Sequence, residues 1–99
     1  MVYRNKKLLE ILRQSPCQAC GREDGTIVAA HSNQLRDGKG RGIKADDFRT
    51  AALCYSCHME LDQGKSLSKA ERIEMFEEAH RKTIGWLFET GRIEVGGRP

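Results

Sequence analysis

Apolar residues fall into short clusters whose spacing changes along the chain. In NKKLLEILRQ (5–14), Leu8, Leu9, Ile11 and Leu12 form one stripe at helical spacing, and Ser15-Pro16 closes the helix. TIVAAH (26–31) is β-branched and apolar, which predicts a strand ending at His31, and FRTAAL (48–53) predicts a second. Between them, residues 32–47 lack a period and hold three glycines, four basic residues and three aspartates, the composition of a mobile surface loop. A helix is expected from near Cys54 to about Gln63, closed by Gly64. Ser68 with Glu71 three residues on forms a capping box. The helix that follows carries Ile73, Phe76, Ala79 or His80, Thr83 and Trp86 or Leu87 on one face and stops at Gly91. GRIEVGGRP (91–99) reads as a short strand or a loose tail.

The elements make an α+β protein in one domain, 1–99: an N-terminal helix within 1–14, a hairpin-and-helix unit over 15–64, and a C-terminal helix over 68–91. No repeat or internal boundary is visible. A chain of 99 residues buries a modest core, so a metal staple would help it. No apolar run reaches membrane-spanning length, and the charged start lacks a signal-peptide core. A cytoplasmic protein with no membrane partner is expected. Charge is uneven: residues 1–49 hold ten Lys/Arg against six Asp/Glu, and residues 50–99 seven against eight. The basic half carries the glycine-rich loop, which favours nucleic acid as a partner.

Composition gains meaning at the cysteines. Cys17 and Cys20 form one C-x2-C pair, and Cys54 and Cys57 form another after 33 intervening residues. In a reducing compartment, two such pairs point to a four-thiolate zinc site rather than to disulfides. Such a site is closed, so this zinc would be structural. Thiols held on zinc are not free for redox exchange.

His58 follows Cys57 directly. On a helix it is rotated about 100° from Cys57 and shares a face with Asp62, four residues on. The helix would thus present a thiolate face and a second face bearing an imidazole and a carboxylate. That pair suits a second divalent ion with open positions. Folding the two knuckles onto one ion brings the hairpin back onto the helix. His31, at the end of the first strand, could then face His58 and Asp62 as a general base for water.

These residues resemble the HNH nucleases, whose fold is the ββα-metal, or treble-clef, finger. The stretches IVAAHSNQ (27–34), TAALCYSCHMELDQG (50–64) and IGWLFETGRIEV (84–95) are similar to small prophage-encoded proteins of the YbcO type. The resemblance spans about residues 15–95. It implies a zinc-stapled ββα-metal finger with an added N-terminal helix and a long C-terminal helix. It implies a metal-dependent DNA endonuclease in which His31 is the general base and His58 binds the catalytic ion, Mg2+ or Mn2+, leaving 5′-phosphate and 3′-hydroxyl ends.

Two positions depart from the pattern. Ala30 stands where many members carry an acidic or histidine ligand; Asp62 could replace it, or His31 could itself bind the ion. Arg49 and Thr50 stand where the family often has an asparagine that braces the loop.

Arg36, Lys39, Arg41 and Lys44 on the glycine loop are candidates for phosphate contacts, diluted by Asp37, Asp46 and Asp47. Those aspartates could alternatively reach the metal. The N-terminal helix, with Arg4, Lys6, Lys7 and Arg13, offers further DNA contacts or a dimer interface; a monomer or weak homodimer is expected. RNA is not excluded as a substrate. The alternative is a zinc-stapled nucleic-acid-binding or adaptor module without catalysis, which Ala30 favours.

Overall fold

The computed structural model describes residues 2–96, and its elements follow from local chemistry. Helix α1 (Lys6–Leu12) starts at Asn5, whose side chain accepts the Leu8 N–H, and buries Leu12. Strands β1 (Val28–His31) and β2 (Thr50–Leu53) pair antiparallel in the register Val28↔Leu53, Ala29↔Ala52, Ala30↔Ala51 and His31↔Thr50. Helix α2 (Tyr55–Gln63) begins at Cys54 as N-cap. Helix α3 (Lys69–Glu89) carries the full Ser68–Glu71 capping box. The result is a small α+β fold of three helices and a two-stranded sheet among the described residues.

A two-stranded sheet is marginal alone and must be covered. Here α3 packs on β2 and α1 on β1. Every residue of β2 is buried, and its alanines let α3 approach closely. The approach is close enough for the Ala52 N–H to donate to Thr83 Oγ1 at 3.0 Å, while Thr83 Oγ1 donates to the Ala79 carbonyl. Phe76, Ala79, Thr83 and Leu87 form the buried face of α3, which is the expected stripe. His80 joins it by donating from Nδ1 to the Thr50 carbonyl at 2.7 Å and stacking on Phe76. Trp86 is half-buried, with the Arg92 guanidinium 4.4 Å from its ring centroid.

Three expectations are corrected. The strands are shorter than 26–31 and 48–53, because Thr26 is held in a turn by Asp24 and the Arg49 N–H closes another turn onto the Asp46 carbonyl at 2.9 Å. Residues 32–47 lie mostly at the surface but are not a structureless loop: they contain a 3-10 turn at Leu35–Asp37 and a Gly40–Ile43 bridge, and they bury Ser32, Asp37, Ala45 and Asp47. Residues 91–96 of the tail form no strand; residues 97–99 lie outside the described chain.

Gly64 does end α2, but its backbone is extended (φ −64°, ψ 146°) rather than left-handed. Glycine is required there for space, since a Cβ would collide with the Glu60 carbonyl. No helix among the described residues is long and apolar enough to cross a membrane.

Candidate functional site

The first C-x2-C pair sits in the tight turn after α1. The Cys17 N–H donates to the Arg22 carbonyl at 2.9 Å, and the Gly21 N–H returns to the Cys17 carbonyl at 2.8 Å. Gly21 takes φ +81°, which its lack of a side chain permits. The Gln18 N–H donates to the Ala52 carbonyl at 2.9 Å and pins this knuckle to β2. The second pair comes from the start of α2, where Cys54 is the N-cap and Cys57 lies on the first turn.

All four Sγ atoms lie within 4.8 Å of one another, and Cys20 Sγ is 3.8 Å from Cys54 Sγ. A tetrahedral ion with bonds of about 2.3 Å to sulfur separates its ligands by roughly 3.8 Å. The cluster therefore has the dimensions of a four-thiolate metal site. Its proton affinities agree. Burial opposes ionisation of Cys17, but nearby backbone N–H groups outweigh it and bring that thiol down to about 6. Burial and the neighbouring sulfurs push Cys57 up, and burial pushes Cys54 up. One thiolate forms readily; a full set needs a cation among the four.

The second face of α2 is as the spacing predicts. His58 Nε2 lies 3.1 Å from Asp62 Oδ2, and both side chains are more than a third exposed. Asn33 Nδ2 donates to Asp62 Oδ1 at 2.9 Å, tying the segment after β1 to the end of α2. His31 ends β1 and turns to another partner: its Nε2 lies 2.8 Å from Asp47 Oδ1. Asp47 also accepts the Asn5 N–H at 2.6 Å and an Arg4 Nη1 bond at 3.3 Å. Burial works against the charge on Asp47. The bonds from His31 and Asn5 and the charge of Arg4 outweigh it and hold the carboxyl below the usual range. An ionised carboxylate only accepts, so Nε2 of the neutral imidazole carries the proton and Nδ1 is left as the basic nitrogen.

His31, His58 and Asp62 do not meet as one three-ligand cluster, since their ligand atoms do not all lie within 4.8 Å of one another. Of the loop cations, Arg36 is paired with Glu77, while Lys39, Arg41 and Lys44 make no ion pair among the described residues. Arg4 is committed to the Lys44 and Ala45 carbonyls and to Asp47.

Sequence reasoning missed Asn33, Asp47 and the buried Asp37–Arg49 pair, in which Arg49 Nε donates to Asp37 Oδ1 at 2.8 Å. The sequence reads the aspartates as diluting charge or as alternative metal ligands, not as the inward-facing partners of His31 and Arg49. The one usable signal was the pairing of acids and bases within a segment that has no period.

No family model matches the chain, and no solved structure matches it. The chain is similar to a 3-isopropylmalate dehydratase small subunit from Marinobacter nauticus: 39% identical over 54 residues, which is 54% of this chain and 24% of that protein. The chain thus spans about a quarter of that relative's length, and a match of this extent leaves the family open.

Proposed function

We propose that the chain is a metal-dependent DNA endonuclease of the HNH kind, built on a zinc-stapled ββα-metal, or treble-clef, finger. The observation that carries this reading is the pairing of His58 with Asp62 at 3.1 Å on the helix whose N-cap and first turn supply two of the clustered thiols. A tetrathiolate set is the usual donor set of structural zinc. The imidazole–carboxylate pair fits Mg2+ or Mn2+. When bound, such an ion supplies positive charge for a phosphate oxygen and for the departing 3′ oxygen.

In this reading His31 acts through Nδ1. It takes a proton from water as the oxygen attacks phosphorus, and the bond to the 3′ oxygen breaks. That oxygen gains a proton from solvent, leaving 5′-phosphate and 3′-hydroxyl ends. Asp47 holds the ring and stabilises the imidazolium that forms, as a buried carboxylate does for the histidine of a hydrolase triad. Lys39, Arg41 and Lys44 add salt-sensitive phosphate contacts. The second reading, a non-catalytic nucleic-acid-binding or adaptor module in the cytoplasm, is favoured by Ala30, which offers no ligand beside His31.

The test is nicking of supercoiled plasmid with magnesium, manganese or no divalent ion, using wild type, His31→Ala and His58→Ala, each checked for fold and for one bound zinc. Metal-dependent cleavage lost in both folded variants is expected. Intact DNA binding with no cleavage of plasmid, single strands or junctions by the wild type would overturn the nuclease reading in favour of the binding module.

A further inference from the structure

A cleft of about 770 Å³ lies between residues 33–36, the end of α2 and the start of α3. Its size is that of pockets that take small organic ligands, roughly 300–1,000 Å³. We propose that it receives one unpaired nucleotide of a DNA strand, with the phosphate on Lys69 and Arg72 and the base against the apolar floor. The proposal rests on the nuclease reading for its choice of polymer.

Three features carry it. The first is position. Asp62, the partner of His58, and Asn33, which bonds Asp62, both line the cleft, so it opens directly beside the proposed cleavage centre. The second is charge. Lys69 and Arg72 are three residues apart on one face of α3 and make no ion pair among the described residues. Further along the same helix, Arg81 and Lys82 are both paired with Glu78. The cations of this helix that face the cleft are thus the ones left for an anion from outside.

The third is the lining. Leu61 and Phe76 are buried beneath the cleft, Ile73 is half-buried, and Leu35 lines it while 80% exposed. A phosphate backbone alone has no use for such a floor; a base has an apolar face that does. A base stacked within a duplex cannot reach a recessed floor without leaving the stack, at a cost of a few kcal/mol that a single strand does not incur. The cleft therefore selects for unpaired DNA: single strands, flaps or gaps.

The experiment uses the zinc-loaded full chain, isotope-labelled for NMR, without added divalent ion. It is titrated with an eight-residue oligothymidylate, with a blunt duplex, and with inorganic phosphate. The oligonucleotide should shift the methyl signals of Leu61 and Ile73 together with the amides of Lys69 and Arg72, and should bind at least about tenfold more tightly than the duplex. Inorganic phosphate should leave the methyl signals in place. Lys69→Ala/Arg72→Ala should weaken oligonucleotide binding about tenfold with zinc content and circular dichroism unchanged; Ile73→Ser should weaken it while phosphate perturbs the Lys69 amide as before.

Shifts confined to Lys39, Arg41 and Lys44, equal affinity for duplex, or unchanged affinity in the double variant would each overturn the proposal. None of these readouts needs cleavage. A protein that binds this way but nicks no DNA keeps the cleft and loses the nuclease reading. One that cleaves single-stranded DNA at full rate after Lys69 and Arg72 are replaced keeps the nuclease reading and loses the cleft.

Discussion

His31 Nε2 and Asp47 Oδ1 lie 2.8 Å apart, joining the end of β1 to a buried carboxylate that the N-terminal segment holds in place. The Asp47 side chain is only 2% exposed, and the Asn5 N–H and Arg4 bond it from the far end of the sequence. The pair fixes which imidazole nitrogen is free. In Asp47→Asn the amide can donate as well as accept, so the ring is no longer held in one tautomer. The expected result is a loss of nicking rate on the order of 10²-fold or more in a folded, zinc-loaded protein. Nitrogen NMR of His31 should show the proton on Nε2 in the wild type and a mixture in the variant. An unchanged tautomer with an unchanged rate would remove Asp47 from the mechanism.

Asp37 carries a different burden. It accepts from Ser32 Oγ at 2.5 Å and from Arg49 Nε at 2.8 Å, and Arg49 continues to Glu77 on α3 at 3.3 Å. Burial opposes its charge, but the bonds from Ser32 and Arg49 outweigh it and hold its carboxyl below the usual range. Asp37→Asn should cost about 2–3 kcal/mol at neutral pH, measured by urea unfolding. Because the folded carboxyl is the stronger acid, its contribution is complete above the unfolded value of about 4 and is lost as pH falls below it. The gap between wild type and Asp37→Asn should therefore close below about pH 4. Metal loss in acid affects both proteins and cancels in the comparison.

These two aspartates also mark where the sequence stops being readable. The helices, the hairpin and the two cysteine pairs announce themselves by spacing: Phe76, Ala79, Thr83 and Leu87 recur on one face, and Ser68 and Glu71 sit at the capping interval. The His58–Asp62 contact follows from the same periodicity. Residues 32–47 have no period, so nothing local says which charges turn inward. The partners of Asp47 at Arg4 and Asn5 are more than forty positions away, and Glu77, which receives Arg36 and Arg49, lies on another helix. Gly64 closes α2 where the sequence places it, and crowding by Glu60, which no local pattern reveals, is what demands glycine there.

Thr83 couples α3 to the sheet through one hydrogen bond. Its hydroxyl is the acceptor for the Ala52 N–H at 3.0 Å, at a buried position. Thr83→Val keeps the shape and leaves that N–H unpaired, which should cost about 1–3 kcal/mol, while Thr83→Ser should recover most of it. Denaturant unfolding of the three proteins checks this, with zinc content as control. Equal stability of Thr83→Val and the wild type would mean that this hydrogen bond adds nothing net to holding α3 on the sheet.

The cysteine cluster makes the broadest prediction, because Cys54 is both a candidate ligand and the N-cap of α2. Chelation should remove one zinc and, with it, the order of the knuckle and of α2, seen as a loss of helical circular dichroism that added zinc restores. His58 and Asp62 lie on that helix, so nicking should vanish with the structural ion even when magnesium is abundant. Binding must displace protons from Cys54 and Cys57, whose thiols burial pushes up. With at least two protons released, apparent zinc affinity should fall at least about a hundredfold for each unit the pH drops, read by competition with a chromophoric chelator. Affinity independent of pH would mean that these two thiols are not ligands.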